Sequence, residues 1–188
     1  MQTKNRNRRI AAPALNRGTS MLEILVTLLI LAIGMLGLAA LQGRAHTSEL
    51  ESYQRGQALV LLQDLSSRME GNLTNAASYV TSGVGTGATD ASVCSALTTR
   101  AAIDLCDWSK AIKGTSETKG GTNQGAMING RGCVATTAVT DVYMVSVVWQ
   151  GLSATVAPAS TCGLNAYDSE ATRRAVTKSI RIPNLAGS

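Results

Sequence analysis

The chain has 188 residues, a length that suits one modest domain plus a membrane segment, and it contains no Phe and only 3% aromatic residues. Its net charge of +5 would be compatible with nucleic-acid binding, but the excess charge is confined to the residues before Gly18. Five basic and no acidic residues lie there, which leaves 17 − 5 = 12 basic against 12 acidic residues from Thr19 onward and argues against direct binding to nucleic acid.

Residues 1–18 form a polar, basic leader, which we exclude from the folded part of the chain. Its basic residues are Lys4, Arg6, Arg8, Arg9 and Arg17. Segments rich in Lys and Arg beside an apolar helix are retained on the cytoplasmic side of a membrane. The leader therefore predicts a cytoplasmic N-terminus and places the C-terminal bulk of the chain on the other side.

The run from Met21 to Leu41 is apolar apart from Glu23 and Thr27. A bilayer core about 30 Å thick requires roughly 20 apolar residues of helix, so we predict a transmembrane and assembly helix over 19–42. A carboxylate costs about 2.5–3.5 kcal/mol at the centre of a bilayer and less near its edge, where Glu23 lies. A charge at that depth indicates a functional role and requires a partner.

Two other interpretations of this run stay open. A cleaved secretory signal has an apolar region of about 7–15 residues that ends in a small-x-small site. The present run is longer, includes Glu23 and continues into Gln42, Gly43 and Arg44. A plain membrane anchor would have the same helix without any processing.

The residues Arg-Gly-Thr-Ser-Met-Leu-Glu at positions 17–23, followed by the apolar run, resemble the processing signal of type IV pilins and pseudopilins. The resemblance implies that a prepilin peptidase cuts after Gly18 and methylates the new N-terminus at Thr19. It also implies that Glu23, the fifth residue after the cut, meets the N-terminal amine of a neighbouring subunit during assembly. The family usually has Phe after the cut, where this chain has Thr19.

The predicted helix continues beyond the membrane as an amphipathic segment over 43–71. No Pro occurs between Gln42 and Met69, and apolar residues recur on one face at helical spacing. They are Ala58, Leu61, Leu62, Leu65 and Met69. Gly71 and Asn72 are a plausible end of a helix that would then be about 75 Å long.

Residues 72–188 are predicted to form a globular head. The segments 72–93 and 114–132 are rich in Ser, Thr and Gly and indicate loops, the first with a short helix before Gly83. A short amphipathic helix is expected within 97–113, with Trp108 facing inward. Strands are predicted over 132–139, 142–149 and 174–182, and a loop over 151–172.

These elements favour an α+β fold with an antiparallel sheet. A long N-terminal helix packed on a C-terminal antiparallel sheet is the pilin arrangement, so the family resemblance implies that fold. The residue pattern alone supports only the α+β class.

Four cysteines lie in the part of the chain placed outside the cytoplasm. They are Cys94, Cys106, Cys133 and Cys162. An even number in an oxidising compartment indicates two disulfides, and a metal site is the weaker alternative because no C-x-x-C spacing occurs and the only histidine, His46, is distant in sequence.

The local pairs Cys94–Cys106 and Cys133–Cys162 are favoured, although the first has a geometric difficulty. A helix over all of 94–106 would separate its ends by about 18 Å, whereas bridged Cα atoms lie within about 7 Å. Either the helix begins near Arg100 and 94–99 fold back, or Cys94 pairs elsewhere.

The sequence predicts neither an enzyme nor a cofactor. A catalytic site needs a nucleophile, a base and an orienting group, and no such set stands out. His46 lies just beyond the apolar run and is expected on the helix surface, while Asp104 and Asp107 are interpreted as surface or capping residues. No metal site is predicted, although a calcium site in a loop of the head stays open.

Three short segments of the head resemble one family of minor pilins, the type IV pilus modification proteins of the PilV family. They are Cys106-Asp107-Trp108, Val148-Trp149-Gln150-Gly151 and Arg173-Arg174. The resemblance implies a low-abundance subunit that primes assembly in the inner membrane, sits near the pilus tip and supports adhesion and twitching motility.

The implied partners are the prepilin peptidase, the other minor pilins and the major pilin, the inner-membrane assembly platform and the lipid bilayer. Two alternatives stay open. One is a minor pseudopilin of a type II secretion system, which has the same N-terminal signal. The other is a pilus-tip adhesin with its own ligand site, which would need an aromatic or charged pocket.

Overall fold

The computed structural model describes residues 19–115, 118–123 and 127–183. Helix α1 spans Thr19–Glu70 and helix α2 spans Arg100–Ile112, while short 3-10 turns cover Leu73–Tyr79, Cys94–Ala96 and Glu170–Thr172. The strands are β1 (Thr81–Gly85), β2 (Thr118–Lys119), β3 (Thr122–Asn123), β4 (Arg131–Thr136), β5 (Val142–Gln150) and β6 (Arg173–Arg181). Strands β1, β4, β5 and β6 form an antiparallel sheet in the order β1-β4-β5-β6, and β2 pairs with β3 in a separate hairpin.

The chain divides into two compact units after His46. The described part of the first unit is helical throughout. In the second unit, the rest of α1 packs on the four-stranded sheet, which confirms the predicted α+β fold of a long helix on an antiparallel sheet.

The second half of α1 is held by one apolar stripe. Ala58, Leu62, Leu65 and Met69 are all at most 4% exposed, and their spacing of four, three and four residues places them on one face. These side chains share a core with Val145 of β5, so the stripe predicted from the sequence is confirmed.

Strand β5 is the centre of the sheet and is buried on both faces. Its residues from Val145 to Trp149 are all buried, and β4 and β6 pair with it on either side. Val145, Val147 and Trp149 point into the core shared with the helices. Val148 points to the opposite, outer face, where Tyr167 from the loop after β5 packs near it.

Helix α2 contributes Trp108 to the same core. The indole is fully buried, as predicted, and its N–H donates to the carbonyl oxygen of Leu61 at 2.8 Å. The ring lies directly over Gly132 of β4, where an added Cβ would come within 2.3 Å of a ring carbon. A larger residue at position 132 would therefore require the core to move.

The structure adds strands to two segments predicted as loops. The short helix expected before Gly83 is present as the 3-10 turn Leu73–Tyr79, but residues 72–93 also contain the edge strand β1, and 114–132 contain the hairpin β2–β3 together with the start of β4. Strand β1 carries two glycines and a register irregularity between Thr81 and Val84, so it lacks the alternating pattern of a strand. Strands β4, β5 and β6 begin and end within a few residues of their predicted limits.

We expect Gly132→Ala to lower the free energy of unfolding of the head by about 1–3 kcal/mol, because the new methyl group overlaps the buried ring of Trp108. Urea titration of the full chain in detergent micelles, followed by tryptophan fluorescence, measures this, since both tryptophans are buried in the head. The matched control is Gly83→Ala, where an added Cβ meets no atom within 4 Å and the change should stay within about 0.5 kcal/mol. Equal effects of the two substitutions would contradict the overlap.

Candidate assembly interface

The processing residues predicted from the sequence lie at the N-terminal limit of the described chain. Gly18 lies outside the described residues, so cleavage after it stays a prediction. Thr19 is the first residue of α1, and Glu23 follows one helical turn later in the same helix. The helix thus places any amine freed at Thr19 and the carboxylate of Glu23 about 6 Å apart along its axis.

The first half of α1 exposes apolar side chains in every direction. Every residue from Ser20 to Leu50 is exposed, including Met21 at 74% and Leu36 at 72%. A helix that packs on a soluble core buries one apolar stripe, whereas a helix that is apolar all round requires a surrounding apolar medium. Within the described residues, α1 is the one helix that is long and apolar enough to cross a membrane, judged by length and composition.

Glu23 has no partner within the part of the chain that the structure describes. No described side chain or backbone N–H forms a hydrogen bond or an ion pair with its carboxylate, and its neighbours Leu22 and Ile24 are apolar and exposed. An isolated carboxylate in an apolar medium is strongly unfavourable unless it is paired or protonated. Any partner that pairs with an ionised Glu23 must therefore come from outside the described residues or from another molecule.

Two disulfides stabilise the head. Cys94 pairs with Cys106 at a Cα–Cα distance of 5.6 Å, and Cys133 pairs with Cys162 at 5.8 Å. These are the two local pairs that the sequence favoured. The geometric difficulty disappears because α2 begins at Arg100 and Cys94 lies in a separate 3-10 turn before it.

Arg173 organises the loop between β5 and β6. Its side chain is only 2% exposed, and its guanidinium donates to the carbonyl oxygens of Ser160, Cys162 at 3.0 Å and Pro158 at 3.3 Å. It also forms an ion pair with Glu170. A buried charge is tolerated when it is paired and hydrogen-bonded, so these contacts fix both the arginine and the loop around it.

Asp104 corrects the sequence interpretation, which placed it at the helix surface or in a cap. Its side chain is 1% exposed and accepts hydrogen bonds from the Tyr79 hydroxyl at 2.6 Å, from Arg68 at 3.1 Å and from Arg100 at 3.2 Å. Burial and the bond to Asp104 raise the pKa of Tyr79 to about 12. Asp107 is 45% exposed, as expected of a surface residue.

Of the contacts around Asp104, the local sequence indicates only the one with Arg100. Arg100 precedes Asp104 by four residues in the same helix, a spacing typical of an ion pair on a helix surface. Arg68 and Tyr79 come from α1 and from the 3-10 turn after it, 36 and 25 residues away. Their convergence depends on the fold and could not be seen in the sequence.

Glu51 of α1 holds the chain just after β5. Its carboxylate accepts from the backbone N–H of Leu152 at 3.1 Å and from the N–H and hydroxyl of Ser153, and it lies 3.5 Å from Arg174. Burial opposes ionisation, but the hydrogen bonds and Arg174 hold the pKa of Glu51 below its ordinary value of 4.5. The contact therefore stabilises the head fully above pH 4.5 and weakens as the pH falls through the lowered pKa.

No group of three or more His, Cys, Asp or Glu side chains in the described ranges is arranged to hold a metal ion. All four cysteines are paired in disulfides, and His46 lies exposed on α1. Comparisons with family models, with curated proteins and with solved structures found no match to this chain. Its function must therefore be inferred from its own residues.

The two disulfides should differ in their effect on stability. Bridge 133–162 closes 29 residues and bridge 94–106 closes 12, so chain entropy predicts that loss of the longer loop costs roughly 0.8 kcal/mol more. Urea titration of two double variants, Cys133→Ser with Cys162→Ser and Cys94→Ser with Cys106→Ser, measures the difference. A larger loss for the shorter loop would contradict this difference, and free thiols in the purified protein would contradict the bridges themselves.

Asp104→Asn should lower the free energy of unfolding by about 1–3 kcal/mol, since it removes the charge that accepts from two arginines while it keeps the size of the side chain. Asp107→Asn is the control, because that carboxylate is half exposed and lies 3.8 Å from Arg68. The control should change stability by about 0.5 kcal/mol or less. The cluster would have no structural role if both variants unfolded at the urea concentration of the wild type.

Proposed function

We propose that the chain is a minor pilin, a structural subunit that primes the assembly of a type IV pilus and is incorporated near its tip. The observation that carries this proposal is Glu23, a carboxylate within a helix that is apolar and exposed on all sides and that offers it no partner among the described residues. The adhesion and twitching motility that such a pilus supports follow from the family resemblance.

The mechanism rests on a positive and a negative charge at two positions along the axis of the same helix. Cleavage after Gly18 would give each subunit a positive amine at Thr19, one helical turn before the negative Glu23. Where apolar helices pack together without water, an unpaired carboxylate carries a desolvation cost of several kcal/mol or takes up a proton. The amine of a neighbouring subunit removes that cost only when the two helices have the correct axial displacement, so the pair also selects the register of assembly.

Two glycines in the apolar half of α1 support helix packing between subunits. An added Cβ at Gly34 or Gly37 would meet no atom of the chain within 4 Å, so nothing within the described chain requires a glycine at either position. Each glycine destabilises a helix by about 1 kcal/mol relative to Ala. Small residues in membrane helices allow close approach of another helix, which is the role we assign to them.

The proposed location follows from the leader, the helix and the disulfides. The precursor would cross the inner membrane once, with its basic leader in the cytoplasm and its head in the periplasm, and would later become part of a pilus on the cell surface. Disulfides form and persist in the periplasm, and both bridges lie in the head.

The tip-adhesin alternative would require an aromatic or charged pocket. The cleft of about 790 Å³ on the head is lined by neither kind of side chain among the described residues, but a smaller cleft on the head is lined by Asp64, Arg68 and Arg100, so this alternative stays open. A minor pseudopilin would share the N-terminal mechanism, and the proteins that co-purify with the chain distinguish a pilus from a secretion system.

The test is Glu23→Gln, which keeps the size and polarity of the side chain and removes its charge. Loss of one partner from a buried ion pair costs about 3–5 kcal/mol, so incorporation into pili should fall about tenfold or more. Mass spectrometry should still find Thr19 at the N-terminus, and the amount of protein in the membrane should be unchanged. Quantitative immunoblotting of sheared pili and co-purification with other pilins provide the readout.

Two control variants separate assembly from processing. Thr27→Ala removes a hydroxyl that already donates to the Ile24 carbonyl oxygen within the helix at 2.9 Å, so incorporation should not change. Gly18→Val should block cleavage by its bulk and leave the leader intact. Wild-type incorporation of a cleaved Glu23→Gln variant would overturn the role of the charge, and pili that contain the intact leader would overturn the processing step.

A further inference from the structure

One part of the outer face of the sheet, opposite the helices, is open. It forms a cleft with a volume of about 790 Å³. Outward-facing residues of the three neighbouring strands form its floor, among them Ala135 of β4, Met144 of β5 and Thr177 of β6. The start of β1, at residues 80–82, forms one wall, and residues 159–162 form the other. The volume lies within the range of about 300–1,000 Å³ typical of ligand sites.

Strand β4 has an open edge in this cleft. Strand β1 pairs with β4 only from Gly85, opposite Arg131, to Thr81, opposite Val134. Before Thr81 the chain leaves the sheet for the 3-10 turn, whereas β4 continues for two more residues, 135 and 136. Among the described residues, these two have a strand on one side only, that of β5. Open strand edges bind extended chains through backbone hydrogen bonds.

The wall formed by residues 159–162 is fixed in place before any ligand binds. Cys162 is bridged to Cys133 of β4, and the buried Arg173 donates to the carbonyl oxygens of Ser160 and Cys162. Because this wall is already ordered, ligand binding does not cost the conformational entropy of ordering it. The cleft is therefore more than a gap between mobile loops.

The lining of the cleft indicates the chemistry of its ligand. Eight of its fifteen described lining residues are Ser or Thr, and none is charged. A charged ligand would lose hydration here without gaining an opposite charge, whereas hydroxyl groups can both donate to and accept from neutral polar groups. Val80 and Met144 add apolar contact surface.

We propose that this cleft binds an extended, uncharged peptide segment of a partner protein, rich in Ser, Thr and small apolar residues, that adds as a strand beside Ala135 and Thr136. The open edge of β4 supplies backbone hydrogen bonds, and the hydroxyl-lined floor and fixed wall select an uncharged chain. The inference uses only the head and does not depend on the proposed pilus function, so either can fail without the other.

The test uses the full chain, labelled with ¹⁵N, in detergent micelles. The probes are the capped peptide Ser-Val-Thr-Ala-Thr-Ser, the same peptide with Glu in place of Ala, and maltohexaose as a neutral ligand of another class. We expect the uncharged peptide to shift the amide resonances of Ala135, Thr136, Thr161 and Thr177, with the Glu peptide about tenfold weaker or more because no described lining residue carries a charge that could pair with its carboxylate.

A matched pair of variants localises the site. Ala135→Arg places a long charged side chain in the cleft at an exposed position and should weaken peptide binding about tenfold or more, with tryptophan fluorescence unchanged. Ala154→Arg makes the same change at an exposed position outside the lining and should bind as wild type. The proposal is overturned if the peptide causes no shifts, if its shifts lie elsewhere, if the Glu peptide binds equally well, or if maltohexaose alone binds.

Discussion

The burial of β5 on both faces is the constraint on which the rest of the head depends. A strand in the middle of a four-stranded sheet must be covered on both faces, and this chain has no Phe and few other aromatic residues that could cover them. On one face the cover is regular, with the apolar stripe of α1 and Trp108 of α2. On the other face it is an irregular loop whose apolar contacts with Val148 are few.

Apolar packing contributes little to the stability of that loop, so covalent and polar contacts hold it in place. The disulfide between Cys133 and Cys162 joins the loop to β4, and the guanidinium of Arg173 donates hydrogen bonds to three of the loop's carbonyl oxygens. Glu51 fixes its first residues to α1. Covalent and polar contacts thus replace the aromatic packing that a core of this size usually has, as is common in small exported domains. They also leave part of the outer face uncovered, which is the cleft for which we propose a ligand.

The sequence was sufficient to predict the elements that are periodic and long. The stripe of α1, the inward Trp108 and the strands β5 and β6 follow from hydrophobic spacing, and the disulfide pairs from proximity in the chain. Strand β1 was missed because an edge strand with two glycines and a bulge has no alternation to detect. The burial of Asp104 was missed because its partners Arg68 and Tyr79 are distant in sequence, and only the tertiary fold brings them together.

The chain has two kinds of charged side chain in apolar surroundings. In the head, Asp104 and Arg173 are almost fully buried, and each is matched by partners from the same chain. Glu23 lies in an apolar segment of α1 and has no such partner among the described residues. If the helix only anchored the head, an apolar residue at position 23 would remove the penalty at no loss. A carboxylate in an apolar medium is stabilised by a nearby positive charge, which the same chain supplies to Asp104 in the head and which no described residue supplies at position 23.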